Sequence, residues 1–206
     1  MRVLGLVAAA GASRRMGSPK ALLPWNFDDD DDDDNDDDTF VTHLVAAMVD
    51  GGVDTVIVTV PDDDDTASAI AGLVGDHAVC VRNPLPAQGL TGSIIAALDA
   101  TGHDVDVLVL CPVDVPFATP ALVRALIAAV VDGAEAAVVV VDDVRGHPVA
   151  FGRGAFEALR RAGEAGGPRQ VLATRGRVAS VPSADRRLIM DVNTVADLDR
   201  VRQMSE

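Results

Sequence analysis

The segment best equipped for chemistry is Ala8-Ala9-Ala10-Gly11-Ala12-Ser13-Arg14-Arg15-Met16-Gly17-Ser18-Pro19-Lys20, a run of small residues that leads into fixed cations. Without large side chains at Ala9, Ala10 and Gly11, the backbone can come close to a base or a phosphate and aim its N–H groups at anionic oxygens, with the Ser13 hydroxyl beside them. Arg15 and Lys20 add positive charge where a triphosphate would lie. Two common phosphate loops are excluded, because the segment contains neither Gly, four residues and Gly-Lys-Ser/Thr nor Gly-x-Gly-x-x-Gly. A second chemical position is Asp114 in Leu110-Cys111-Pro112-Val113-Asp114-Val115-Pro116. Its carboxylate, at the end of a strand-like run, is a hard oxygen ligand of the kind magnesium takes while keeping most of its waters. Cations and a metal-binding carboxylate suit attack on a phosphorus surrounded by negative oxygens, where catalysis is mainly charge neutralisation and in-line positioning.

The elements that must position these residues are legible from apolar runs. Val3–Ala9, Thr55–Val60, Ala78–Val81, Val105–Leu110 and Ala136–Val141 read as strands apolar on both faces, which implies a mostly parallel sheet. Between them, Phe40–Val49, Ala67–Val74, Ser93–Leu98 and Ala121–Val131 have helical spacing. The alternation predicts an α/β fold, a three-layer Rossmann-like sandwich with right-handed crossovers. Thr119-Pro120 and Thr194 mark helix starts, and Asp62 to Asp65 read as caps at the positive end of another helix. After Val141 the rhythm changes. Pro148–Phe151 and Val178–Val181 read as strands, Gly154–Ala162 and Val195–Gln203 as helices, with the glycine-rich 163–167 between; this is either an added lobe or an extension of the sheet.

With 206 residues, 49% hydrophobic and only 3% aromatic, the chain fits one domain over 1–206 with a core of Ala, Val and Leu. Of the net charge of −15, ten negative charges lie in Asp28–Asp34 and Asp36–Asp38, so the remainder carries an ordinary −5. That remainder lacks the clustered basic and aromatic residues of a nucleic-acid groove. Cys80 and Cys111, each among apolar residues, read as reduced core thiols, which points to a cytoplasmic protein. The apolar opening is too short for a signal peptide, and no run of about 18 apolar residues suggests a membrane span.

The first segment resembles the LAAGxSxRMGxxK signature of the MobA-like nucleotidyltransferases, which attach nucleotides to molybdopterin, with Ala8 where Leu is usual. Asp114 and its neighbours look like that family's metal-binding Asp segment. Arg145-Gly146-His147-Pro148-Val149-Ala150-Phe151 looks like its Gly-His-Pro acceptor segment, and Asp191-Val192-Asn193-Thr194 like its Asp-x-Asp/Asn-Thr ending. The resemblance spans Val3 to Leu198. It implies a nucleotide-diphospho-sugar transferase type of fold, binding of the triphosphate by Arg15 and Lys20, and Mg2+ on Asp114. It also implies CTP, because an Ala-Ala-Gly start goes with the cytidylyltransferases and a Gly-Gly start with the guanylyltransferases.

Other candidates carry two readings. Asp191 is a second metal-binding carboxylate with Asn193 alongside, or the two residues cap the last helix. His147 shapes or hydrogen-bonds an acceptor pocket, or serves a turn; with only four histidines and no matching spacing, zinc is not indicated. Asn83, after a parallel strand, is a candidate nucleotide contact, whereas Thr91 and Ser93 are explained by helix initiation. Arg169 sits in a faint match to a family stretch from which Pro168 and the spacing depart, and it reads as a surface arginine.

The sequence therefore points to a Mg2+-dependent nucleotidylyltransferase that moves a nucleoside monophosphate, from CTP, onto a phosphorylated acceptor, molybdopterin, with release of pyrophosphate. The alternatives are transfer to a sugar or polyol phosphate, or a noncatalytic protein that handles a cofactor or senses nucleotides; oligomeric state is left open. The acidic loop at 28–38 stands where the family has a short turn, and like charges so crowded are expected to be solvated and to point away from an anion pocket. Replacing it with a short Gly-Ser turn should leave catalysis nearly intact and raise the melting temperature at low salt, with the gain shrinking at physiological ionic strength, where the Debye length is about 8 Å. A large increase in the magnesium needed for half-maximal rate would show instead that the loop gathers the ion.

Overall fold

In the computed structural model, which describes residues 1–11, 16–27, 38–102, 104–164 and 166–204, seven strands form one sheet. The strands are β1 (Val3–Ala8), β2 (Thr55–Val60), β3 (Val79–Arg82), β4 (Val107–Pro112), β5 (Ala136–Val141), β6 (Val144–Gly152) and β7 (Val178–Pro182), in the order β3-β2-β1-β4-β6-β5-β7. All neighbouring pairs are parallel except those of β6, which runs antiparallel to both β4 and β5. The helices are α1 (Phe40–Asp50), α2 (Asp64–Val74), α3 (Leu90–Thr101), α4 (Pro120–Val131), α5 (Phe156–Arg161), α6 (Gly167–Thr174) and α7 (Val195–Arg202).

The apolar runs make the layers. Along β1, Val3 and Val7 turn to one face and Leu4 and Leu6 to the other, and all four are at most 1% exposed. The first face packs against α1, α2, α4 and α7, through side chains such as Leu44, Ile70, Leu126 and Val201. The second packs against α3, α5 and α6, through Ile94, Leu98, Leu159 and Val171. The expected three-layer α/β sandwich is thus present, and both faces of the parallel strands are buried as their unbroken hydrophobicity requires.

The segment after Val141 extends the sheet. Asp142 and Asp143 both adopt positive φ, at 49° and 63°, which is the backbone of a tight primed hairpin turn. The chain therefore doubles back at once, and β6 inserts between β4 and β5. Gly146 lets β6 pack against the 186–189 turn: a Cβ there would collide with the Leu188 carbonyl oxygen and lie 2.9 Å from Ile189 Cγ2. Helix α6 is not expected from the sequence: the glycine-rich 163–167 and the faint family match around Pro168 and Arg169 give no helix there. Pro168, treated above as a departure, occupies the first turn of this helix, where its missing N–H costs nothing.

The helix starts follow the capping logic. Thr119 accepts from Leu122 N, Asp63 from Thr66 N, and Thr194 forms a capping box with Asp197. One correction concerns Asp38, counted above with the solvated run. Its carboxylate accepts from Thr42 Oγ1 at 2.9 Å and its carbonyl from Trp25 N at 2.9 Å, so it belongs to the entry into α1. The acidic residues at 28–37, and with them the expected direction of the loop, lie outside the described residues.

Gly146→Ala should destabilise the protein by about 1–3 kcal/mol, the scale of overpacking a tight contact. Denaturant unfolding checks this; a loss below the measurement error would show that the 186–189 turn yields freely.

Candidate active site

In the sheet order, β1 lies between β2 and β4, and the chain winds away from it in opposite directions. Such a switch point opens a crevice beyond the carboxyl ends of the strands. Ala9 continues β1, donating its N–H to the Thr59 carbonyl at 3.0 Å, and the Ala8 carbonyl accepts from Val113 N at 3.2 Å. These bonds set Ala9, Ala10 and Gly11 beside the loop that carries Asp114. Ala9 is buried, and a Cβ on Gly11 would meet none of the described residues within 4 Å. Ser13 and Arg15 lie outside the described residues.

Lys20 opens a 3-10 turn over Lys20–Leu22 that is tied down on both sides. Ala21 is buried, Leu22 N bonds to the Pro19 carbonyl at 3.0 Å, and Phe40 N bonds to the Leu23 carbonyl at 2.9 Å. Its ammonium donates to Asn193 Oδ1 at 2.7 Å and approaches Asp114 Oδ2 at 3.5 Å. The Lys20 side chain is only 11% exposed, against 33% for Asp114.

The third segment of the site is the one before α7. Val192 is fully buried, and its N–H donates to the Asp114 carbonyl at 2.7 Å, which locks the two segments together. Upstream, the Asp185 carboxylate holds Arg187 through its Nε and Nη2, and the guanidinium carbon of Arg187 lies 5.0 Å from the centre of the Phe117 ring. Burial, and then the negative charge of Asp114, push the Asp191 carboxyl above its ordinary pKa, while Lys20 pulls the other way. The capping reading of Asp191 and Asn193 does not hold for their side chains. Thr194 and Asp197 close the cap, Asn193 contributes only its N–H to the Asp197 carboxylate at 3.1 Å, and its carboxamide oxygen goes to Lys20.

The chemistry of this donor set fits magnesium. Two carboxylates, one raising the pKa of the other, present hard oxygen where a cation would relieve repulsion. Among the described residues no group of three or more His, Cys, Asp or Glu forms a complete protein cage. Magnesium needs none, since it is bound through one or two carboxylates plus waters and substrate phosphates.

Beside this cluster opens a cavity of about 970 Å3. Its floor includes Leu110, Val149 and Phe151, and its wall includes Arg145, His147, Arg169 and Asp191. The His147 Nδ1 is buried and, among the described residues, without a hydrogen-bond partner. Burial pushes the imidazole pKa down to about 4, only partly opposed by Asp114, so the ring is neutral near pH 7. Arg169 is exposed, as expected, but it stands at the cavity wall, carried there by the helix the sequence did not reveal. Arg145 also lines the cavity; it lies in the quoted Arg-Gly-His-Pro motif but received no role.

Asn83 is placed differently from the charged cluster. Its Oδ1 accepts from Leu85 N at 2.9 Å, and its Nδ2 reaches Ser93 Oγ at 3.4 Å and the Gly89 carbonyl at 3.5 Å, so its polar atoms hold the loop into α3. Gly92 permits this packing, because a Cβ there would come within 2.7 Å of Asn83 Oδ1.

The family profile of the MobA-like NTP transferase domain matches residues 5–180. Among solved structures, Rv0371c from Mycobacterium tuberculosis H37Rv is 27% identical with a TM-score of 0.79, covering 98% of each chain. A manganese complex of that protein aligns at 27% identity and a TM-score of 0.72, again over 98% of each chain. The molybdopterin-guanine dinucleotide biosynthesis protein A from Archaeoglobus fulgidus, 18% identical over 99% of this chain and 98% of its own with a TM-score of 0.66, shares the fold. A search among curated proteins finds no match.

The neutral state of His147 has a measurable consequence. Its unfolded-state pKa is about 6.5, above the folded value of about 4. The unfolded chain therefore binds more protons between these limits, and stability from this residue, full above the upper one, is lost as pH falls. His147→Gln should show a shallower loss of melting temperature than wild type across that window. Parallel pH profiles would contradict the burial of the ring.

Proposed function

The chain belongs to the MobA-like NTP transferase family and is a nucleotidyltransferase, and from that premise we propose that it transfers a cytidylyl group from CTP to the phosphate of molybdopterin. The observation that carries this reading is the meeting of Lys20, Asp114 and Asn193 at the sheet's switch point, directly beside a cavity walled by Asp191, His147 and Arg169. Ala9, Ala10 and Gly11 give the nucleotide a close backbone approach, and Lys20, with Arg15, neutralises the triphosphate. Asp114, with Asp191, holds Mg2+. The bound ion supplies neutralisation of charge on the phosphate oxygens and helps align attack.

An oxygen of the acceptor phosphate attacks the α-phosphorus, the bond from that phosphorus to the bridging oxygen of the leaving group breaks, and pyrophosphate departs. The acceptor oxygen is already anionic, so no protein base is needed. His147 stays neutral and offers its buried Nδ1 to a polar atom of the acceptor, while the arginines at the cavity wall counter its phosphate charge. The apolar floor favours an acceptor with a flat, weakly polar body.

The test is pyrophosphate release with each of the four common triphosphates, Mg2+, and molybdopterin or a panel of sugar and polyol phosphates. CTP with molybdopterin should be fastest, and Lys20→Ala and Asp114→Asn should each lower turnover about 10²–10³-fold with unchanged melting curves. Preference for a sugar phosphate would overturn the acceptor assignment, equal use of all triphosphates the base assignment, and near-wild-type turnover of both variants the site.

A further inference from the structure

If Asp114 takes a divalent cation, Lys20 and that cation compete for the same carboxylate. The ammonium lies 3.5 Å from Asp114 Oδ2, yet its short bond, 2.7 Å, is to the neutral Asn193 Oδ1. Resting on the proposal that Asp114 and Asp191 hold Mg2+, we infer that Asn193 is a positioning residue that acts through Lys20, holding the ammonium to one side so that Asp114 can accept the metal. Three features make Asn193 suited to this. Its backbone is fixed relative to Asp114, because the preceding Val192 is fully buried and donates to the Asp114 carbonyl at 2.7 Å. Its own N–H is fixed by the Asp197 carboxylate at 3.1 Å. Its acceptor is an amide, which restrains an ammonium without adding a third negative charge to the Asp114–Asp191 pair and so releases it readily to an incoming triphosphate.

Without Asn193, the Lys20 ammonium closes on Asp114 Oδ2, already 3.5 Å away, and neutralises the charge that recruits the ion. The effect of Asn193 on metal affinity must then disappear when Lys20 is absent. A residue that ligated the metal itself, or merely supported the loop, would matter equally in both backgrounds.

The experiment is a double-mutant cycle on the full chain, with Mn2+ binding read by electron paramagnetic resonance of the free ion in the absence of nucleotide, and melting curves as the check on folding. Asn193→Ala should weaken Mn2+ binding about 10-fold, the lower end of the effect of removing a residue behind a metal ligand. Lys20→Met should bind Mn2+ at least as tightly as wild type, and adding Asn193→Ala to it should change nothing further. If Asn193→Ala misfolds, Asn193→Ser replaces it in the cycle. A penalty that persists in the Lys20→Met background, or no penalty in either, overturns the inference while leaving the metal site standing. Failure of the well-folded wild type to bind Mn2+, with or without CTP, overturns the metal site and the inference together.

Discussion

The bond from Lys20 to Asn193, with Asp114 just beyond it, is the contact on which the site depends. Lys20 stands just after the first strand, Asp114 follows the fourth, and Asn193 precedes the last helix. Only a fold that brings these three distant segments to one edge of the sheet can make the contact. The Lys20 ammonium stands against the carboxylates there: burial first, and then the charge of Asp114, push the Asp191 carboxyl above its ordinary pKa, and Lys20 opposes that shift.

Parallel pairing explains why the edge lies where it does. The β1–β4 register, from Val3 opposite Val107 to Ala8 opposite Pro112, ends both strands at the same level, and the loops that follow emerge side by side. The antiparallel β6 then serves a separate purpose. Its insertion beside β4 carries His147 and Arg145 to the wall of the cavity next to the Lys20–Asp114 edge. On the proposed reading, nucleotide chemistry and acceptor recognition come from different parts of one sheet, joined through β4.

The strands and helices that bury both faces were legible because Val- and Leu-rich runs have no alternative to burial; Thr55–Val60 and Ala136–Val141 match residue for residue. The Asp142-Asp143 hairpin was not, since turn-forming asparagine and glycine are missing and only the positive φ angles reveal it. Helix α6 was hidden because its first residues, Gly167 and Pro168, are breakers anywhere but at a helix start. At the site, Lys20 and Asp114 stood out as charges in motifs. The carboxamide of Asn193 carried no such mark: a helix cap and a lysine partner look alike in sequence, and only the fold decides between them. Likewise the burial that keeps His147 neutral depends on elements far away in the chain.

The central claim is that Asp114 and Asp191 form the metal edge of a nucleotide site that Lys20 completes. Anomalous scattering from crystals grown with Mn2+ and a non-hydrolysable CTP analogue tests it most directly. The account predicts a manganese peak bonded to an Asp114 oxygen, with Asp191 in contact directly or through water and the Lys20 ammonium on a phosphate oxygen. A peak remote from Asp114, with the analogue bound away from Lys20, would contradict it.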